Sequence, residues 1–215
     1  MVPRIFGIAQ KWKTLLLLLG IVLIGSFLRI YLLDAQSVWY DEMFSIVVAK
    51  TSLPAIVSAA AQDVHPPLYY FLLHYWMLAF GESDVAVRFL SAIFGILAIP
   101  MGYLVGRDLF DKEVGLIGAF IVAVSPLNVY YSQEARMYSL LVLLTLLSMY
   151  FFILLVRGTN RKACFVGYTL STTLLLYAHA YGLFVVLAQN VYFVTVLVLN
   201  RWPRVIITEW ILQQC

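Results

Sequence analysis

The hydrophobic and polar positions along the chain fall into long apolar blocks separated by short polar loops. The first block, residues 14–33, carries Arg29 as its only charge. At 1.5 Å of helical rise per residue, about 20 residues cross a hydrocarbon core of about 30 Å, so this block has the length of a membrane span. Further blocks lie at 85–106, 114–127, 137–156, 163–178 and 182–199. A shorter one covers 68–80, and a helix of that length reaches only about 20 Å, too little to cross. Between the first block and the rest, 39–49 and 53–61 read as short helices, with Pro54 in the first turn of the second. Both are apolar enough to lie on a membrane surface. Pro66 and Pro67 predict an extended entry followed by a helix start.

The basic residues orient these blocks. If 68–80 does not cross, the loops on one side hold Arg4, Lys11, Lys13, Arg107, Lys112, Arg157, Arg161, Lys162, Arg201 and Arg204. These are ten of the 14 basic residues, the excess expected of cytoplasmic loops. If 68–80 crosses, two of the basic loops face outward. The pattern therefore predicts an all-α, polytopic membrane bundle of about six spans, with a seventh starting at 208–212 and both termini inside. The first outer loop, 34–84, holds the short interfacial helices. Asp41, Glu42, Asp63, His65, the loop 125–138 and 179–182 then share the outer face.

Composition agrees: 63% of residues are hydrophobic and 12% charged, against roughly 45–50% and about 25% in soluble domains. A net charge of +3, scattered over short loops, gives no nucleic-acid surface. Arg4, Lys11 and Lys13 before an apolar run imitate a signal peptide, but the run has the length of a span and no clean cleavage site follows, so it is expected to be an uncleaved first helix. Cys164 and Cys215 give no disulfide framework, and neither has a histidine at zinc spacing. There is no G-x-x-x-x-G-K-[ST] or G-x-G-x-x-G for a nucleotide, and no G-x-S-x-G elbow for acyl chemistry.

Candidate chemistry sits in the outer loops. Adjacent carboxylates are costly in hydrocarbon, so Asp41 and Glu42 belong at water or in a polar cavity, where they suit proton transfer or cation binding; a plain solvated loop is the alternative. His65 is either a helix-entry residue or a functional one sharing the loop of Asp41. In Ser125–Tyr138, Ser132 is placed to cap the next helix and Glu134 to sit in its first turn. Capping does not explain Arg136, a cation at a helix N-terminus. Beside free N–H groups it makes an anion site for a lipid phosphate, the alternative being an arginine snorkelling to headgroups. Tyr130, Tyr131 and Tyr138 fit an aromatic belt. His179 and Tyr181 lie at a turn that Gly182 permits, where the histidine either contacts phosphate or sugar or is merely interfacial. Arg88 is expected to pair with Glu82 or Asp84.

The ordered segments W-Y-D-E-M-F, D-V-H-P-P-L-Y-Y, R-F-L-S-A-I-F-G, Y-S-Q-E-A-R-M-Y-S and H-A-Y-G resemble the multi-spanning C-type glycosyltransferases. The nearest branch is that of protein O-mannosyltransferases (glycosyltransferase family 39), aminoarabinose transferases and their relatives. The resemblance implies that residues 1–215 are an N-terminal transmembrane catalytic module of a longer enzyme. It implies transfer of a sugar from a polyprenyl-phosphate donor to an acceptor lipid, glycan or protein outside the plasma (inner) membrane, facing the periplasm or cell exterior. Asp41 takes the position of the family's acid in the first outer loop, as general base of an inverting displacement, with Glu42 beside it. Arg136, Tyr138 and His179 then serve the donor phosphate, and His65, Glu134 and Tyr181 the substrate. No cofactor is required; Asp41, Glu42 and Glu134 offer oxygens to Mg²⁺ or Mn²⁺. The rival classes are a polyprenyl-lipid carrier or flippase-like protein and a non-catalytic membrane scaffold.

Overall fold

The computed structural model describes residues 2–63, 65–158 and 161–200. Arg201, Arg204, Cys215 and the expected seventh-span start at 208–212 lie outside them. The described residues form helices and no strand: α1 (Val2–Ile30), α2 (Tyr40–Ala49), α3 (Leu53–Gln62), α4 (Leu68–Phe80), α5 (Asp84–Leu109), α6 (Lys112–Val124), α7 (Pro126–Ser132), α8 (Tyr138–Val156), α9 (Arg161–Ala178) and α10 (Gly182–Asn200). The chain is a polytopic helical membrane bundle, as its apolar blocks predict.

Among the described residues, four helices are long and apolar enough to cross a membrane: Gln10–Ile30 of α1, then α5, α8 and the Gly182–Leu199 part of α10. The pair α6 and α7 makes a fifth, bent by 55°. Pro126 supplies the bend, since it has no N–H to continue α6 and opens α7 instead. The block 163–178 folds as α9, but its Arg161–Lys162 start and Thr169, Ser171, Thr172 and Thr173 keep it out of the apolar set. Length and apolarity thus give four or five spans where the block pattern gives six. The thirteen-residue helix α4 is apolar but short, as expected.

Arg29, inside the first span, is fully buried. Its Nη1 donates to the carbonyls of Gly25 and Ala123 at 2.9 Å, and Nη2 to Val122 at 2.8 Å. Val122 and Ala123 belong to the last turn of α6, whose carbonyls have no helical partner. The cation therefore meets the negative end of a helix. Nε donates to the Ser132 hydroxyl at 3.2 Å. Ser132 closes α7 rather than capping α8, which begins after Met137.

Helices α5 and α6 pack closely through glycine. A Cβ at Gly106 would lie 2.9 Å from the Cα of Gly115. Around the other end of α5, a core of Tyr69, Tyr70, Leu73, Val87, Met137 and Leu175 joins α4, α5, α8 and α9. This core carries the short helices α2 and α3 and positions the loops that hold the polar groups.

Candidate functional site

The site is built on the first turn of α2. Asp41 and Glu42 both lie there, where the helix dipole favours acids. Successive helical positions point about 100° apart, so the two carboxylates diverge.

Glu42 turns inward and is fully buried. Arg88 of α5 grips it with two bonds, Nε to Oε1 at 2.8 Å and Nη2 to Oε2 at 2.7 Å. The Ala135 N–H adds a third, to Oε1 at 2.8 Å. Arg88 Nη1 donates to the carbonyls of Leu33 and Gln36. This corrects the expected partner of Arg88: Glu82 pairs with Lys50 instead, at 2.6 Å. It also removes Glu42 from direct work on an acceptor or a cation, because both its oxygens are engaged and shielded. The pair ties α2, α5, the turn after α1 and the loop before α8 into one unit.

Asp41 turns outward, and 39% of its side chain is exposed. Its Oδ2 lies 3.8 Å from Arg136 Nη2. Arg136 precedes α8 by one turn residue, next to a helix N-terminus that no side chain caps. Its guanidinium is buried. Nη1 donates to the Asp41 carbonyl and to the Ser45 hydroxyl, each at 3.2 Å. Nε has no partner among the described residues. Arg136 is therefore a buried cation whose one carboxylate stands beyond hydrogen-bond distance, an arrangement that favours an added anion.

Around Arg136 the structure gathers Tyr138, His179, His65 and Tyr181. The guanidinium lies over the Tyr138 ring at 5.9 Å. Tyr138 lies against His179 at 5.8 Å between centroids, and His179 against Tyr181 at 4.5 Å and His65 at 5.3 Å. The Tyr181 N–H donates to His179 Nδ1, which puts the neutral ring's proton on Nε2. Burial holds the His179 imidazole below the ordinary histidine range, with His65 and Arg136 pushing the same way. His65 Nδ1 sits 3.0 Å from Asp63 Oδ2, and the Tyr70 hydroxyl donates to that oxygen at 3.2 Å.

Glu134 lies elsewhere. It lines a cavity of about 330 Å³ with Glu42, Arg88, Trp39 and Tyr130, and neither Asp41 nor Arg136 lines it. Burial raises its carboxyl above the ordinary range, and nearby Tyr130 acts in the opposite direction. Its Oε2 has no partner among the described residues. Asp41, Glu42 and Glu134 do not converge as cation ligands: the first faces Arg136, the second is held by Arg88, and the third faces this cavity. No group of three or more His, Cys, Asp or Glu side chains among the described residues is arranged to hold a metal ion.

Residues 64–212 match the model of the family described as dolichyl-phosphate-mannose-protein mannosyltransferases. The chain belongs to that family. A stretch of 47 residues is 49% identical to the dolichyl-phosphooligosaccharide-protein glycotransferase 3 of Archaeoglobus fulgidus, covering 21% of this chain and 5% of that protein. Two crystal structures of an oligosaccharyltransferase from the same organism share the fold. The apo form superposes with a TM-score of 0.65 at 18% identity, over 82% of this chain and 25% of that one. The form tethered through a disulfide to an acceptor peptide containing the NVT sequon gives 0.63 at 19%, over 80% and 25%. The chain thus spans about a quarter of the length of these solved relatives. The family match and the apolar helices together make it an integral membrane protein of C-type glycosyltransferase fold.

Sequence reasoning missed Ser45 and Tyr70 as members of this cluster, and placed Asp63 on the shared face without giving it a role. Asp63 stands two residues before His65, and that spacing was the available signal. Tyr70 is one of many tyrosines at an apolar edge, and nothing local distinguishes it.

Proposed function

We propose that the chain is the membrane-embedded catalytic module of a glycosyltransferase, moving a sugar from a polyprenyl-phosphate donor to an acceptor on the outer face. The observation that carries this reading is the 3.8 Å juxtaposition of an exposed carboxylate, Asp41, with a buried, under-partnered guanidinium, Arg136. Inverting transfer requires a base on the acceptor and a counter-charge on the leaving phosphate around one anomeric carbon. Asp41 takes the proton of the acceptor hydroxyl or amine as its oxygen attacks, or its nitrogen. The C1–O bond to phosphate breaks on the opposite face, and the electron pair leaves on the phosphate oxygen. Arg136, the Nε2–H of His179 and the Tyr138 hydroxyl stabilise that charge. His65 and Tyr181 border the same space. Glu42 acts through position: gripped by Arg88, it fixes the helical turn that presents Asp41. The fold relatives and the family name support transfer from a lipid-linked donor, and the exposed site at the end of the bundle suits a carrier whose chain stays in the membrane. The lipid carrier alternative shares the phosphate site and differs in having no use for Asp41.

The test is paired. Asp41→Asn keeps side-chain size and removes basicity, so transfer from radiolabelled polyprenyl-phosphate sugar is expected to fall about 10²–10⁴-fold with donor binding retained. Arg136→Ala is expected to weaken donor binding itself. Transfer at the parent rate by Asp41→Asn would refute the base assignment. Donor binding by a chain that never transfers would favour the carrier.

A further inference from the structure

The cavity of about 330 Å³ beside α2 belongs neither to the base nor to the phosphate cluster. Its size is at the lower end of the roughly 300–1,000 Å³ of small-molecule sites. Three aromatic side chains at its rim, Tyr31, Trp39 and Tyr130, are each 44–57% exposed. Glu134, almost fully buried, lines it too, and its Oε2 has no partner among the described residues. Gln36 and Gln133 also line it, Gln133 with its Nε2 donating to the Leu28 and Tyr31 carbonyls.

Each class of ligand meets a different response here. An anion finds no free donor on Arg88, since Nε and Nη2 are on Glu42 and Nη1 is on two carbonyls. Glu134 would repel it as well. An acyl chain would strand the buried carboxyl without a partner. A neutral polyhydroxylated ring satisfies the set: its C–H face lies on aromatic rings and a hydroxyl donates to the free carboxyl oxygen. Trp39 and Glu42 line the cavity beside the first turn of α2 and neither Asp41 nor Arg136 does, whereas Arg136 closes on Asp41 and Ser45. The sugar it takes is therefore not the one carried on the phosphate.

We infer that this cavity is an acceptor subsite that holds a neutral sugar residue, which makes the acceptor a glycan or glycolipid. The inference rests on the transferase reading above for the word acceptor; the saccharide site itself stands on the cavity.

The experiment uses the full chain in lipid nanodiscs and saturation-transfer NMR, with methyl glycosides of glucose, mannose and N-acetylglucosamine as ligands. Tetramethylammonium, inorganic phosphate and a short serine- and threonine-containing peptide run alongside. At least one glycoside is expected to bind, with its ring protons saturated. Trp39→Ala and Glu134→Gln are each expected to weaken it about tenfold, the scale of one good hydrogen bond or stacked ring. Trp39 is on the rim, so Trp39→Ala keeps the test valid where Glu134→Gln fails to fold. No glycoside binding to the parent chain, equal binding to parent and Trp39→Ala, or a preference for tetramethylammonium or for the peptide overturns the subsite. Polyprenyl-phosphate binding is measured on the same samples. Glycoside binding without it keeps the saccharide site and removes the donor reading; polyprenyl-phosphate binding without glycoside binding does the reverse.

Discussion

At the scale of single residues, the chain commits two arginines to opposite tasks. Arg88 and Glu42 are both buried and fully bonded, so removing either partner leaves an uncompensated charge in the interior. Arg88→Leu or Glu42→Gln is expected to destabilise by about 3–5 kcal/mol, and the double substitution by less than the sum. Thermal unfolding of the four proteins in detergent checks this; simple additivity would show that the pair is not coupled. Arg136, by contrast, is buried with the Asp41 carboxylate 3.8 Å away, beyond hydrogen-bond distance, and with its Nε unpartnered among the described residues. That difference was hidden in the sequence, because Glu42 and Arg88 are 46 positions apart and the acids nearest Arg88 along the chain pointed to a local pair. The sequence did mark Asp41, Arg136, His65 and His179 as polar groups at block edges, since polar residues there stand out against apolar neighbours. Which of them touch depends on how α4, α8 and α9 pack, and no local pattern carries that. His179 gives a pH prediction. The folded protein holds its pKa below the ordinary value of about 6.5, so the unfolded chain takes up a proton there before the folded one does. The stability tied to this residue is complete above about pH 6.5 and is lost as pH falls from there through the lowered folded value. His179→Gln is expected to flatten the decline in melting temperature between about pH 7.5 and pH 5; an unchanged slope would remove His179 as its source.

At the scale of elements, the helices were legible because apolar blocks of about 20 residues have few other solutions in a membrane. The bend between α6 and α7 was legible as an end at Pro126, not as a turn that hands its carbonyls to Arg29. An arginine inside an apolar block reads as a cost until the end of another helix is seen beside it. The α5–α6 contact is likewise invisible in hydropathy, which treats Gly106 and Gly115 as weakly apolar positions. Their role is to let backbones approach. A Cβ at Gly106 meets the Gly115 Cα at 2.9 Å and the Val114 carbonyl at 3.1 Å, and backbone does not yield as a side-chain tip does. Gly106→Val is therefore expected to cost about 1–3 kcal/mol by forcing the helices apart. Gly20→Ala, with nothing within 4 Å of the new carbon, is expected to be neutral or stabilising. Comparing their melting temperatures in detergent tests the contact itself, because both changes add carbon to a helical glycine and only one meets a neighbour.

At the scale of the whole molecule, the fold fixes which groups share an end of the bundle, and the basic residues predict which side of the membrane that end faces. Asp41 of α2, His65 before α4, Arg136 before α8 and His179 after α9 meet at one end. The loops at 107–113 and 157–162 hold Arg107, Lys112, Arg157, Arg161 and Lys162, and cations of this kind stay on the cytoplasmic side. On that rule the proposed site is expected to open outside. Cysteine labelling of intact cells with a membrane-impermeant reagent decides it. Ser37→Cys, next to the start of α2, and Asn128→Cys, in α7, are expected to label. Asn160→Cys, in the basic loop, is expected to label only after the membrane is opened. Labelling of position 160 in intact cells would invert the bundle and put Asp41 and Arg136 inside. Labelling of 37 but not 128 would separate the two loops by the membrane, which conflicts with the 3.8 Å between Asp41 and Arg136 and would refute the arrangement from which the transferase reading is built.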